Sequence, residues 1–383
     1  MNWKWIAGAV LTCIAAALIL PRISAPVLAL VAGDTPTRCV LAGATDAATE
    51  GCITRTSLRL FEHNDSHAME KIEQLSNVES LGGRCHVLMH DVGRRLVATH
   101  LLRRRDLTLL IGQSSDTNCA AGVEHGVIAE LMRSRNAAAL DAVVRLCRSS
   151  TSRRARKSCI HGVGHGASAL PHATASTAVA YCASLGRTDD RDCAAAVFHQ
   201  LQMETLGLLK RQLHGPLLTR TLCRNVSSRF SRECWVRLID EQVMQSKGSM
   251  NKVFSAWMHT CSHEANMAGK GACATGVSYA LQERYPQRME ARIELCATLD
   301  GPLAAGCIDG VYVHVLELNG ASAAINSCAA FDTGRQADCV RRLAAQIRVF
   351  SDLDPGPVCE GLDPARRAAC NAGAHSSEAI GVV

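Results

Sequence analysis

Apolar residues recur at three-to-four spacing in many short segments, and a cysteine marks one end of most of them. "LDAVVRLC" and "RIELC" run up to a cysteine, whereas "CWVRLIDEQVM", "CIDGVYVHVLEL" and "CVRRLAAQIRV" run away from one. That period belongs to amphipathic helices. Between such segments lie bend-like stretches: "ASLGRTDDRD", "ATLDGPLAAG", "AAFDTGRQAD" and "EGLDPARRAA". Four share Cys-x-x-(Leu/Phe)-(Gly/Asp), at Leu185, Leu299, Phe331 and Leu362, an apolar anchor followed by a turn. The unit is therefore a helix, a cysteine, a short loop, a second cysteine and a second helix.

Eight cysteine pairs fit it: Cys39/Cys52, Cys147/Cys159, Cys182/Cys193, Cys223/Cys234, Cys261/Cys273, Cys296/Cys307, Cys328/Cys339 and Cys359/Cys370, separated by 11 to 13 residues. Along one helix such cysteines would stand roughly 16 Å apart, whereas a disulfide needs Cα atoms within about 7 Å. Each pair must therefore bracket a bend. Cysteines opening the second helices stand at 52, 85, 119, 159, 193, 234, 273, 307, 339 and 370, in steps of 31 to 41 residues. This is the period of helical-hairpin arrays. The expected fold is all-α: a right-handed α/α helical-hairpin repeat solenoid stapled by one disulfide per repeat. The layout resembles tetratricopeptide-class and Sel1-like arrays in architecture, without their signature residues.

Cys85 and Cys119 have no partner 11 to 13 residues upstream. They read as a disulfide between adjacent repeats; the alternative is two thiols free for metal or redox work.

Composition narrows the setting. The 383 residues include 19 cysteines and no C-x-x-C. Zinc-ribbon, thioredoxin and c-type haem motifs are thereby absent, and disulfides in an oxidising compartment are favoured. The N-terminal "MNWKWIAGAVLTCIAAALIL" carries one Lys and a 16-residue apolar run, short for a span and suited to a signal h-region. The alternative is an uncleaved membrane anchor, with Trp3 and Trp5 at the interface. Either exports the chain after residue 33. Residues 34–233 form the His-rich N-terminal repeats, 234–376 the C-terminal repeats, and 377–383 a tail.

Aromatics are 4% and net charge is +6, which excludes little but supports no nucleic-acid role. The basic runs Arg103–Arg105 and Arg153–Lys157 read as solvated loops, the second inside the Cys147–Cys159 loop.

In cysteine register, three successive repeats carry a histidine six residues on: His125, His165 and His199. Elsewhere that position holds Asp91, Asp240, Tyr279 and Val313. Equivalent positions line up in stacked repeats, so the imidazoles form a row. His86/His90 and His161/His165 add i,i+4 pairs, a spacing that lets two rings share one ion. Glu130 and Glu204, eleven residues after their cysteines, make a second row. His63 and His67, another i,i+4 pair, fall outside the register.

Glycines accompany the histidines. Gly122, Gly162, Gly276 and Gly310 stand three residues after a cysteine, a close-packing position. Gly126 and Gly166 directly follow histidines and are expected to clear room around the rings for a ligand, a metal or a neighbouring helix, while Gly164 loosens its turn.

The expected site is a divalent transition-metal pocket (Zn, Fe or Cu) of His86, His90, His125, His161 and His165. His199, Glu130 and Glu204 are further ligands or their supports. The alternative is an extracytoplasmic protein–protein interaction scaffold, binding a protein or peptide on the solenoid face, with hydrogen-bonded structural histidines. No motif decides whether the protein is an enzyme.

Overall fold

A computed structural model describes residues 35–40, 46–63, 65–77, 81, 84–99, 118–133, 135–209, 213–215, 217–264, 267–285, 288–350 and 354–375. They fall into two compact units divided at residue 78. Among them every named element is helical. The first unit holds a 3-10 turn at Pro36–Cys39, α1 (Asp46–Glu62) and α2 (Ala68–Glu73), with Cys39 bonded to Cys52.

The second unit begins with α3 (Arg84–Ala98) and α4 (Asn118–Met132). Hairpins follow: α5 (Ala137–Arg148) with α6 (Arg153–Ala169), α7 (Ala175–Ser184) with α8 (Asp190–Thr205), and α9 (Arg220–Asn225) with α10 (Ser231–Met244). Next come α11 (Met250–Ser262) with α12 (Met267–Arg284), and α13 (Met289–Ala297) with α14 (Gly301–Ser327). α15 (Thr333–Phe350), α16 (Gly356–Glu360) and α17 (Pro364–Ala374) end it.

The eight hairpin disulfides form as their spacing requires, with Cα–Cα distances of 5.3 to 5.8 Å. Cys85 and Cys119 are bonded to each other, joining α3 to α4, so the free-thiol alternative is overturned. Nine intrachain disulfides point to an oxidising, extracytoplasmic compartment. Among the described residues no helix is long and apolar enough to cross a membrane. The N-terminal apolar run, Arg103–Arg105 and the tail lie outside the described residues.

Each helix packs where its apolar stripe points. In α5 the side chains of Leu140, Val143, Val144 and Cys147 are buried, spaced i, i+3, i+4, i+7, and Asn136 caps the start by accepting from the Ala139 amide. These residues meet α6. The second helices form the inner succession: α3 on α4, α4 on α6, α6 on α8, α8 on α10, α10 on α12, α12 on α14. α15 packs on α14 and α17, and also reaches back to α6. There the Arg153 guanidinium donates to the Arg348 carbonyl across 195 positions of chain. Phe331 and Leu362 are buried at their turns, whereas Leu185 and Leu299 are half-buried.

Two local readings change. The second helices of the bridged hairpins begin three to six residues before their cysteine, whereas α3 and α4 begin one residue before theirs. α6 starts at Arg153, capped by the Ser152 hydroxyl accepting from the Ala155 amide. The run Arg153–Lys157 is therefore the first turn of a helix, not a loop. Arg156 pairs with Asp189 at 2.7 Å and Lys157 with Asp192 at 3.3 Å. The stretch "CIHGVGHGA" consequently lies in mid-helix. α14 departs from the hairpin rule, running 27 residues unbroken from one bridged hairpin to the next.

The glycines explain how the inner helices come so close. A Cβ at Gly122 would collide with the His86 carbonyl, and one at Gly126 with the His90 carbonyl. Both thus seat α3 against α4. Gly164, expected only to loosen a turn, is a contact point: a Cβ there would strike the Cys193 carbonyl oxygen and lie 2.7 Å from the Ala196 Cβ. Of the roles expected for Gly166, the structure shows room for neighbouring helices: it faces Ile128, Leu140 and Met132 in the apolar core. Gly164→Ala should therefore destabilise the fold by about 1–3 kcal/mol through overpacking. Helix propensity alone predicts a gain of about 1 kcal/mol. Denaturant unfolding distinguishes these; a neutral or stabilising change would contradict the close approach of α6 and α8.

Candidate metal centre

The closeness of α3, α4, α6 and α8 draws six imidazoles into one place. α3 supplies His86 and His90, α4 His125, α6 His161 and His165, and α8 His199. Ring centroids of neighbours stand 4.6 to 5.7 Å apart, from His90–His165 to His161–His199. Even His86 and His199, from the first and fourth of these helices, are 5.5 Å apart. His90 and His165 are 1% and 0% exposed, and His125 is 3% exposed.

Burial decides the charge of these rings. Removal from water pushes His90, His125, His161 and His199 well below the ordinary imidazole range. His165 is pushed down to about 3 by the same cause, against the opposing effect of the hydrogen bond it donates to Gln200. Neighbouring imidazoles add to the shifts of the first four, as does Arg237 for His161, His165 and His199. At neutral pH these rings are neutral, the form in which imidazole binds a metal.

The hydrogen bonds fix which nitrogen faces inward. Gln200 donates its amide to a Glu204 carboxylate oxygen at 2.8 Å, which sets its own carbonyl toward His165. His165 Nδ1–H donates to that carbonyl at 3.1 Å, leaving Nε2 with a lone pair and no hydrogen-bond partner. His125 Nε2–H donates to the Ser158 carbonyl at 2.9 Å, leaving Nδ1 in the same state. His199 Nδ1 is also buried without a partner. His86 Nε2 and His90 Nε2 are 3.0 Å apart, close to the roughly 3.3 Å that two imidazoles on one tetrahedral ion would show.

Two sets of histidines have ligand nitrogens all within 4.8 Å of one another: His86, His90, His125 and His165, and His161, His165 and His199. Such groups can hold a metal ion. Four nitrogens complete a tetrahedral shell, as in a structural site; three leave a position for water or substrate. Neither set contains a carboxylate.

All six histidines expected from the sequence are thus brought together. Glu204 is not in either set but orients His165 through Gln200, a support that metal-binding histidines ordinarily have. Glu130 lies apart from both, paired with Arg133 at 3.0 Å. His63 is exposed, and His67 bonds the Glu70 carboxylate at 3.0 Å on the surface. Sequence reasoning missed Gln200, although its i,i+4 relation to Glu204 is readable. It also missed Arg237, buried beside the cluster over the Tyr279 ring at 4.9 Å and 3.7 Å from Asp240. Comparison with protein-family models, curated proteins and solved structures returns no match for this chain.

Proposed function

We propose that this is an exported metalloprotein. Its hairpins stack as a solenoid, and the histidines of α3, α4, α6 and α8 hold a transition metal for catalysis or metal handling. One observation carries this reading: six buried or half-buried imidazoles converge while the buried atoms His125 Nδ1, His165 Nε2 and His199 Nδ1 find no hydrogen-bond partner. A buried polar atom left unpaired costs about 1–3 kcal/mol. Three of them in one cluster, on rings whose other contacts orient them, are accounted for by a metal. The C-terminal helices, which carry none of the six, extend and cap the array.

The test is elemental analysis of untagged protein after reconstitution with zinc, copper and iron. At least one ion per chain is expected; less than about 0.2 per chain with every metal would end the proposal. Gln200→Leu, which removes the carbonyl orienting His165, should weaken metal affinity about 10- to 100-fold. Unchanged affinity would show that His165 is not held as a ligand.

A further inference from the structure

The cluster is too large for one ion. Its ligand nitrogens separate into two sets, and only His165 belongs to both. The Nδ1 of His165 is occupied by Gln200, so its Nε2 alone is available, and it serves one ion at a time.

The ring contacts link all six without a gap, so the division follows from ligand supply. His86, His90 and His125 form one triangle, with centroids 4.8, 5.1 and 5.6 Å apart. His161, His165 and His199 form another, at 5.2, 5.5 and 5.7 Å. The triangles face each other: His86 meets His199 at 5.5 Å, His90 meets His165 at 4.6 Å, and His125 meets both His161 at 5.1 Å and His165 at 5.4 Å. If His165 joined the first set, His161 and His199 would be left as a pair too few to hold an ion firmly. The division into three and three leaves none idle.

We propose that the six imidazoles hold two copper ions, one in the triangle His86–His90–His125 and one in the triangle His161–His165–His199. The proposal rests on the metal-centre reading and specifies its stoichiometry and metal.

Charge selects the metal. Three neutral nitrogens make up each triangle, with no carboxylate in either set. Arg237 acts on the second triangle and Arg94 on His90 and His165, and each is already balanced by carboxylates outside the sets: Asp240 for Arg237, and Asp91, Glu130 and Glu204 for Arg94. Two divalent ions would bury four positive charges there. Two cuprous ions bury half that charge and repel each other with a quarter of the energy at any given distance. Cuprous copper is content with three neutral imidazoles, whereas zinc in a three-histidine site completes its shell with water or an anion.

The experiment is an anaerobic titration of untagged full-length protein with cuprous ion, buffered by a chromogenic cuprous chelator. Two ions per chain are expected. His199→Ala and His90→Ala should each reduce this to one, provided the helical circular dichroism and the nine disulfides are retained. Should either variant misfold, anomalous diffraction at the copper edge on loaded wild-type protein still decides, with two peaks expected. One copper per chain in the wild type would overturn the two-ion site but leave the metal centre standing. Two zinc ions and no copper would overturn the assignment of the metal. No ion with copper, zinc or iron would remove the metal-centre reading itself.

Discussion

Full reduction of the nine disulfides, with alkylation to hold them open, is expected to unfold the protein in native buffer at room temperature. Eight of the bridges close loops of 11 to 13 residues, and the ninth closes one of 34. By the chain-entropy relation each short loop contributes about 3 kcal/mol and the long one about 4 kcal/mol. Even at half these values their sum is about 14 kcal/mol, comparable to the whole net stability of an ordinary domain, about 5–15 kcal/mol. The core cannot make up the difference with large side chains, because aromatics are only 4% of the sequence and many inner contacts are Ala, Val and Gly. Loss of the helical circular dichroism signal is the readout. A reduced, alkylated chain that keeps that signal and melts cooperatively would show that packing alone sustains the fold. Replacing one bridge, Cys182→Ser with Cys193→Ser, should cost about 2–4 kcal/mol.

Metal-free protein should lose stability steeply between about pH 6.5 and pH 3. Above the ordinary histidine pKa of about 6.5 the rings are neutral in both folded and unfolded chains. Below it the unfolded chain takes up protons, while His90, His125, His161, His165 and His199 stay neutral in the native state because burial holds their pKa values down. The unfolded state then binds more protons, and stability falls with pH by up to about 1.4 kcal/mol per unit for each ring. From pH 7 to pH 5 the five together approach 5–10 kcal/mol in order of magnitude. Four buried acids oppose this. Burial raises Asp192 and Glu233 above the ordinary carboxyl range, Asp309 to about 6 and Glu241 to about 7, and their penalties lift as they take up protons. Five imidazoles held well below their ordinary range outweigh four acids with smaller shifts over this window, so the net direction is downward. Urea midpoints of chelator-treated protein across this range check it; a flat profile from pH 7 to pH 5 would mean the rings are not buried as described.

The sequence carries some of these residues by spacing alone and others not at all. Disulfide pairing followed from spacing, because a bend is the only way two cysteines so near in sequence can meet beside helices. His125, His165 and His199 were found by register. His86, His90 and His161 are off register and were visible only as i,i+4 partners. What no spacing conveys is curvature. Register predicts that neighbours align, yet His86 meets His199 across two intervening helices. That meeting depends on backbones brought together at Gly122, Gly126 and Gly164. Their role as contact points is readable for Gly122 from its register and for Gly126 as room for a neighbouring helix, but not for Gly164, which has no counterpart in other repeats. The start of α6 was misplaced because its cap, Ser152, sits among serines and arginines that resemble a loop.

The return contact of α15 upon α6 ties a late helix of the second unit to an early one. The Arg348 carbonyl is therefore a buttress for the helix bearing His161 and His165, though it contributes nothing to coordination. Distance along the chain is a poor guide to which residues keep that helix in place.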